Sequence, residues 1–408
     1  MILPRYALFA AFLASAGVPI YIHAPKYFAD TYGVSLGAIG IALFALRLLD
    51  FVQDPVLGWV VGRLGARRPL AAWLGSAGMI LGMIGLFAIT PVVPPLLWMA
   101  LCLTLLFTSF SFLSILFYAR GVTQARDFGH GGHVRLGGWR ETGSLIGITL
   151  FCIAPVVLAG AGFAKPFEVF TWVFAALGIG AAVAMRRLWA GDLVVETGGF
   201  AELLAHPRVR WLLTIGLLNA APVAVTSTLF LFFVESRLGT PDLAGPFLVA
   251  FFAAAAISAP GWARLARHFA PENVLAVAMI IAILTFGWAF GLGTGDTTAF
   301  LIICLLSGAA LGADMTLLPA MMSQTVADLN GNGGQAFGLW NFAAKASLAI
   351  AAIAVLPALE ASGFQSGQAN DPSALARLSL LYALLPCLLK LAALSLLLLS
   401  GLKVRRIC

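Results

Sequence analysis

The sequence predicts an all-α membrane protein with twelve transmembrane helices arranged in two six-helix halves. Two observations predict this fold class. Hydrophobic residues make up 61% of the 408 residues and charged residues only 10%, whereas an ordinary soluble domain carries about 25% charged residues. Apolar runs of about 20 residues recur along the whole chain, and each can cross about 30 Å of hydrocarbon as a helix. The apolar residues therefore belong to membrane-spanning segments rather than to a soluble core.

Clusters of glycine, proline and charged residues delimit the first six helices. These predicted helices cover residues 5–28, 35–61, 69–90, 95–119, 137–160 and 166–186. The first apolar run is of full spanning length and leads into Lys26 and Asp30 without a cleavage site of small residues. We therefore expect a transmembrane helix there rather than a signal peptide.

The second half has boundaries of the same kind. Its predicted helices cover residues 209–236, 243–266, 273–293, 297–324, 335–360 and 373–402. The longest polar stretch of the chain, from Arg186 to Arg210, separates the two sets. The predicted organisation is an N-terminal half over 1–187 that holds a cation site, a cytoplasmic linker over 188–208 and a C-terminal half over 209–408.

Basic residues predict the orientation, because cytoplasmic loops are enriched in Lys and Arg. Most of them fall at the two chain ends and in loops on one side of the membrane: Arg5, Arg63, Arg67, Arg68, Arg120, Arg126, Arg135, Arg186, Arg187, Arg208, Arg210, Arg264, Arg267, Lys403, Arg405 and Arg406. The other side collects Lys26, Lys165 and Arg237. Both termini are therefore predicted to be cytoplasmic.

Several function classes are disfavoured by the same residues. The net charge of +7 is spread over short loops and forms no basic stripe beside stacking aromatics, so nucleic acid is not an expected partner. The five cysteines lie far apart without metal or disulfide spacing. The chain has no phosphate-binding motif of the ATPases and no visible nucleophile constellation, so we expect no enzyme activity and no cofactor.

Charged residues inside the apolar runs are the informative ones, because each costs about 2.5 to 3.5 kcal/mol at the centre of a membrane helix. Such a residue is expected either to pair with an opposite charge or to take part in the function. The set comprises Arg47, Asp50, Asp54, Arg140, Glu141, Asp314, Lys345 and Lys390. No partner for Lys390 is evident from the sequence.

Asp50 and Asp54 are four residues apart in the second predicted helix, so both carboxylates project from one face. Like charges so placed repel, unless a cation lies between them or one of them is protonated. Hard oxygen ligands suit Na⁺ and a shared proton suits H⁺. Gln53 adjoins the pair, and Pro55 frees a backbone carbonyl for coordination. The alternative is a structural network in which Arg47 neutralises one aspartate.

The segment from Arg47 to Gly58 resembles the helix-two signature R-x-x-D-x-x-x-D-P-x-x-G of the glycoside-pentoside-hexuronide:cation symporters, the melibiose permease family of the major facilitator superfamily. Every fixed position of that signature is met. The resemblance implies the major facilitator fold and makes Asp50 and Asp54 the cation ligands, with Na⁺ or H⁺ as the coupling ion. It also implies an assisting polar residue of helix four near Ser111.

The loop that follows this signature, from Gly58 to Arg68, resembles the superfamily's loop between helices two and three. In that loop a glycine precedes an acidic residue and an arginine, and a basic cluster follows. Gly62 stands here where the superfamily has the acidic residue.

Three further positions extend the resemblance into both halves. The segment around Arg140 and Glu141 resembles the family's helix-five arginine segment, and Asn219 matches a helix-seven polar position. The segment from Trp340 to Lys345, which includes Asn341, resembles the helix-eleven segment whose lysine faces the cation site.

Two departures from the family bear on the solute. Ala14 and Ser114 stand where sugar-transporting members have aspartates that bind the sugar, so galactoside recognition is not expected. Aromatic residues such as Tyr118 and Trp340 are candidates to line the solute cavity. Arg140 and Lys345 either bind an anionic solute or compensate the carboxylates of Asp50, Asp54 and Glu141. Both readings are compatible with the sequence.

Asp314 has no counterpart in the family pattern and is a candidate proton site or solute contact, since an acid inside the membrane is functional by default. The predicted function is cation-coupled symport of a small organic solute, for example a sugar or glycoside, in the inner membrane of a bacterium. Lipid or amphipathic-solute transport and proton-coupled export on the same fold are the alternatives. The expected partners are the solute and membrane lipids, and the expected state is a monomer.

Overall fold

The computed structural model describes residues 2–129, 131–189, 199–364 and 370–399, and the regular elements of these residues are all helices. Nine helical stretches among them are long and apolar enough to cross a membrane. They are Gly65–Phe87, Pro95–Arg126, Gly132–Gly160, Pro166–Trp189, Pro207–Arg237, Pro241–His268, Pro271–Ala289, Thr297–Asp328 and Pro372–Leu399. The all-helical prediction is confirmed, whereas twelve membrane helices and cytoplasmic termini stay predictions.

The chain divides into two compact units. The first comprises Met1–Leu203 together with Val326–Phe342, and the second comprises Leu204–Thr325 together with Ala343–Cys408. The helices of the first unit are α1 (Leu3–Ser15), α2 (Val18–Tyr32), α3 (Leu36–Arg63), α4 (Arg68–Phe87), α5 (Pro95–Arg126), α6 (Gly132–Gly160) and α7 (Pro166–Trp189). A short helix, α8 (Phe200–Ala205), contains the boundary between the units.

The first predicted helix, residues 5–28, is wrong as a single element, because the structure has the two helices α1 and α2 in its place. Ala16 and Gly17 separate them, and Gly17 has φ −83° and ψ −109°, outside the helical region. Pro19 explains the break, since its ring removes a backbone donor and clashes with the carbonyl of the fourth residue before it. Aromatic side chains then bury the two helices: Phe9 of α1 lies 5.1 Å from Phe117 of α5 between ring centroids.

The helices of the second unit begin with α9 (Pro207–Phe232), α10 (Ala244–His268) and α11 (Pro271–Ala289). They continue with α12 (Thr297–Asp328), α13 (Gly333–Glu360), α14 (Pro372–Ser379) and α15 (Leu385–Leu399). One π-helical turn extends α9, and another joins α14 to α15. The rings of Phe233 and Tyr382 in these two turns stack at 4.1 Å between centroids, at the centre of the unit's aromatic core.

Two polar stretches differ from their predicted loops. Within the predicted linker, residues 190–198 lie outside the described residues, and the rest contains α8 and the start of α9. The helix α5 runs to Arg126, two turns beyond its predicted end at residue 119. Helical hydrogen bonding continues past the apolar stretch there, because a backbone that leaves hydrocarbon still satisfies its own donors and acceptors as a helix.

The segment Val326–Phe342, which contains the end of α12 and the start of α13, groups with the first unit rather than with its neighbours in sequence. Arg126 of α5 donates a hydrogen bond to the carbonyl of Ala327 and another, of 3.2 Å, to Oδ1 of Asn330. Backbone contacts of α13 with α3, described below, hold the other end of the segment.

Candidate functional site

The two aspartates of the family signature lie in the middle of α3, within the first unit. Asp50 is 5% exposed and Asp54 is 0% exposed. Both belong to an unbroken helical stretch, so the spacing of four residues places their carboxylates on one face, one turn apart. Pro55 lies inside this helix and leaves the carbonyl four residues earlier without its helical donor. Two buried acids and a released carbonyl thus occupy consecutive turns.

A chain of two hydrogen bonds links Asp50 to α5. Nε2 of Gln53 donates to Oδ1 of Asp50 at 2.7 Å, and the hydroxyl of Thr108 donates to Oε1 of Gln53 at 3.0 Å. The amide group of Gln53 is therefore engaged at both ends. The hydrogen bond to Asp50 orients its carboxylate without removing the negative charge, and the prediction that Gln53 is a cation ligand stays a prediction. Thr108 is a site residue that the sequence reasoning missed.

Ser111, the predicted assisting residue, is buried on α5. It lies three residues after Thr108, and residues three apart share a helix face. Thr108 could have been found in the sequence as the polar residue three positions before Ser111. The side chain of Arg47 lies outside the described residues.

Glycines bring α13 into backbone contact with α3 beside the acid pair. A Cβ at Gly58 would lie 2.8 Å from the carbonyl oxygen of Gly334 and 3.0 Å from Cα of Gly338. A Cβ at Gly338 would lie 3.0 Å from the carbonyl oxygen of Asp54. With Gly62, these residues form the pattern G-x-x-x-G on both helices, which allows the backbones to approach closely. That pattern was readable in the sequence.

The departure at Gly62 from the superfamily pattern has a local cause. A Cβ at this position would lie 2.4 Å from Nδ2 of Asn332, which is buried. Oδ1 of the same asparagine accepts a hydrogen bond of 3.0 Å from the backbone N–H of Gln335, in the first turn of α13. An aspartate at position 62 would displace this asparagine. The run Asn330–Gly334 therefore leads into α13, whose first residues are Gly333 and Gly334.

A second buried cluster joins α5 to α6. Nε of Arg140 donates to Oε1 of Glu141 at 2.7 Å, and the hydroxyl of Tyr118 donates to the same oxygen at 2.9 Å. The Arg140 guanidinium also stacks on the Tyr118 ring, 3.8 Å from its centroid. Glu141 is thus the anion that Arg140 compensates. Nη2 of Arg140 is buried and donates to no acceptor among the described residues.

Four further predicted residues lie on α13 and α9. Trp340 and Asn341 are half-buried on the part of α13 that belongs to the first unit, whereas Lys345, also half-buried, belongs to the second. Asn219 is buried on α9 in the second unit, and its Oδ1 accepts no hydrogen bond from the described residues.

Asp314 and Lys390 form a buried ion pair in the second unit, with Nζ of Lys390 bound to Oδ2 of Asp314. The sequence analysis found no partner for Lys390, and the structure corrects this. The two residues are 76 positions apart on α12 and α15, so no local pattern could have revealed the pair. The sequence offered only one hint of this pair: Asp314 and Lys390 are opposite charges inside membrane segments, and neither had an evident partner.

A comparison of the whole chain with protein families identifies its relationship. The family described as MFS/sugar transport protein matches residues 5–403. The chain therefore belongs to this family of the major facilitator superfamily, and the resemblance found in the second helix is confirmed. It is a multi-pass membrane transporter and not an enzyme.

Solved transporter structures share its fold at low sequence identity. A bacterial homologue of the iron transporter ferroportin, in an outward-facing state, matches with TM-score 0.74 and 14% identity, covering 97% of this chain and 100% of that chain. The human organic anion transporter MFSD10 matches with TM-score 0.66 and 16% identity, covering 97% and 98%. The E. coli fucose:proton symporter FucP matches with TM-score 0.65 and 15% identity, covering 96% and 98%. These similarities establish the fold alone.

Proposed function

We propose that this member of the MFS/sugar transport protein family is a symporter that moves a small organic solute of the sugar or glycoside type together with Na⁺ or H⁺. We further propose that it works as a monomer in the inner membrane of a bacterium, by alternating access. The observation that carries the proposal is the buried pair Asp50 and Asp54, of which Asp50 is connected through Gln53 to Thr108.

The physical argument concerns charge. Two carboxylates on adjacent turns in a low-dielectric environment repel each other, and a cation between them or a proton on one of them removes the repulsion. The oxygen donors at this place are those that hard cations prefer. In the proposed cycle a small cation enters from the outside, binds to these carboxylates and leaves to the inside.

Coupling to the solute follows from linkage. Each of the two ligands needs only to favour a conformation that the other also favours, and each then raises the affinity for the other by the same factor. The membrane potential supplies the drive, because one charge that moves through 100 mV is worth about 2.3 kcal/mol.

The cluster of Tyr118, Arg140 and Glu141 is the proposed solute contact. Nη2 of Arg140 offers a buried donor that lacks an acceptor, and a buried donor without a partner is costly. A hydroxyl or carboxylate oxygen of the solute would satisfy it, and Tyr118 offers an aromatic ring at the same place. The aspartates that bind galactosides are replaced by Ala14 and Ser114, so a solute with fewer hydroxyl contacts fits better.

Flux measurements in proteoliposomes test the function. Vesicles that contain the purified protein are supplied with radioactive Na⁺ outside and a pH-sensitive dye inside, and a panel of sugars, glycosides and organic acids is added. At least one solute should accelerate the entry of Na⁺ or H⁺. Asp54→Asn should abolish this acceleration, because it removes a full negative charge from the pair.

The matched control is Asp371→Asn, which removes an exposed aspartate at the start of α14 and should leave the flux unchanged. Solute uptake that needs no cation and proceeds at the same rate in Asp54→Asn would overturn the proposed coupling.

A further inference from the structure

The second unit encloses a cavity beside the ion pair of Asp314 and Lys390. Its volume is about 40 Å³, and helices α9, α10, α11, α12 and α15 line it. One water needs roughly 10 to 15 Å³ of such space, so the cavity holds a few waters and is too small for an organic solute. Water or an ion of similar size fits this space.

The polar groups that face this cavity are few. Thr226 and Ser307 donate their hydroxyl protons to backbone carbonyls of their own helices. Each hydroxyl oxygen therefore remains able to accept a hydrogen bond. Among the described residues that line the cavity, only Asp314, Lys390 and Cys387 are titratable or charged. The Cys387 thiol donates to the carbonyl oxygen of Ile283 at 3.4 Å.

Charged residues elsewhere on the lining helices lie far along the helix axes. Glu272, in the first turn of α11, precedes Ile283 of the lining by eleven residues, which is about 16 Å at the rise of an α-helix. Arg264 and Arg267 lie at the end of α10, more than three turns from the lining residue Phe251. Asp314 and Lys390 are therefore the charged residues of the cavity lining itself.

The two oxygens of Asp314 differ in their surroundings. Oδ2 is bound by the Lys390 ammonium, whereas Oδ1 is buried and accepts no hydrogen bond from any described residue. The side chain as a whole is 7% exposed. A buried carboxylate oxygen without a donor is unfavourable, and Asp314 is one of the residues that line the cavity. The missing donor is therefore a water or a proton that water delivers.

We propose that Asp314 and Lys390 form a proton-binding site, separate from the acid pair of α3 and hydrated through this cavity. A hydronium ion transfers its proton to Oδ1 of Asp314, an O–H bond forms, and neutral water remains. No electrons move, and the charge of the pair rises from zero to plus one because Lys390 stays an ammonium. The reverse step returns the proton to water.

The ion pair itself selects a proton over Na⁺. The Lys390 ammonium already occupies the position at Oδ2 that a metal cation would need, and it repels a second cation. A proton is instead bound covalently to the other oxygen. Once it is bound, the contact between α12 and α15 changes from an ion pair to a hydrogen bond of the ammonium with a neutral acid, which weakens it.

Infrared difference spectroscopy between high and low pH tests this site. The protein carries Asp50→Asn and Asp54→Asn, so that the acids of α3 contribute nothing and the outcome does not depend on the proposed symport. Acidification should produce the carbonyl stretching band of a buried carboxylic acid. Asp314→Asn should remove this band, and Asp371→Asn, the exposed control, should leave it.

Two further variants keep the test decisive where Asp314→Asn does not fold. Asp314→Glu retains the acid and should shift the band without deleting it. Lys390→Met removes the ammonium that binds Oδ2 of Asp314, so the band should change in position or in size. A difference spectrum without a buried-acid band, or with one that none of the three variants alters, would overturn the proposal.

Discussion

Both units of the molecule bury carboxylates in membrane helices, yet they hold them by different means. In the first unit the Asp50 carboxylate accepts a hydrogen bond from the Gln53 amide. In the second unit the Asp314 carboxylate is bound by the Lys390 ammonium. A dipole orients a carboxylate and leaves its charge, whereas an ammonium neutralises it. The difference underlies the two proposals, in which Asp50 and Asp54 bind an exchangeable cation and Asp314 binds a proton.

The largest expected effect comes from breaking the neutralised pair. Lys390→Met should lower the free energy of unfolding by about 3 to 5 kcal/mol, because it leaves a buried carboxylate without its counter-ion. The double variant Asp314→Leu with Lys390→Met should recover most of this loss. Thermal unfolding in detergent measures both. The single variant Asp314→Leu completes the comparison. If the double variant loses as much stability as the two single variants added together, the pair is not the stabilising contact.

A smaller effect is expected at the glycine contact that supports the other acid pair. Gly58→Ala should lower the free energy of unfolding by about 1 to 3 kcal/mol, because the added Cβ meets backbone atoms of α13 that cannot rotate away. It should also weaken Na⁺ binding at Asp54, one turn earlier on α3, and leave the infrared band assigned to Asp314 unchanged.

The matched control is Gly40→Ala on the same helix, where a Cβ would meet nothing within 4 Å. Alanine there should stabilise the helix by up to about 1 kcal/mol. Equal effects at Gly58 and Gly40 would contradict the close approach of α3 and α13.

The smallest effect concerns the hydrogen bonds from Thr108 to Gln53 and from Gln53 to Asp50. Thr108→Val removes the hydroxyl that donates to Gln53, and a neutral hydrogen bond is worth about 1 kcal/mol. We expect about a fivefold weaker affinity for the coupling cation, measured by calorimetric titration of Na⁺ binding or of proton uptake. Thr104→Val serves as control, because this hydroxyl donates to the carbonyl of Ala100 in its own helix. If both variants bind the coupling cation as tightly as the unaltered protein, Gln53 does not need Thr108 to position Asp50.

Sequence reasoning predicted the helical fold and the acid pair because both depend on local spacing. The pair is defined by four residues along one helix, and most helix ends follow glycine, proline or the edge of an apolar run. The contact of Thr108 with Gln53 spans 55 residues and that of Lys390 with Asp314 spans 76. Contacts of this kind depend on tertiary packing, for which a single sequence carries no periodic signal.

The sequence contained signals for two features that were not predicted, the break between α1 and α2 and the contact of α3 with α13. Pro19, two residues after Gly17, marks the break between α1 and α2, yet the apolar run across it suggested one continuous span. The pattern G-x-x-x-G at Gly58 and again at Gly334 marks the crossing of α3 and α13. The pattern at Gly334 is harder to recognise, because the polar, glycine-rich residues just before it are typical of a turn.

The claim that Asp50 and Asp54 hold the coupling cation is tested most directly by equilibrium binding. Na⁺ binding and proton uptake are measured on the purified protein and on the double variant Asp50→Asn with Asp54→Asn, each at two pH values. We expect the unaltered protein either to bind Na⁺ more weakly at the lower pH, because protonation removes ligand charge, or to take up a proton in place of Na⁺. The double variant should lose that binding. Na⁺ affinity and proton uptake that are both unchanged in the double variant would contradict the claim.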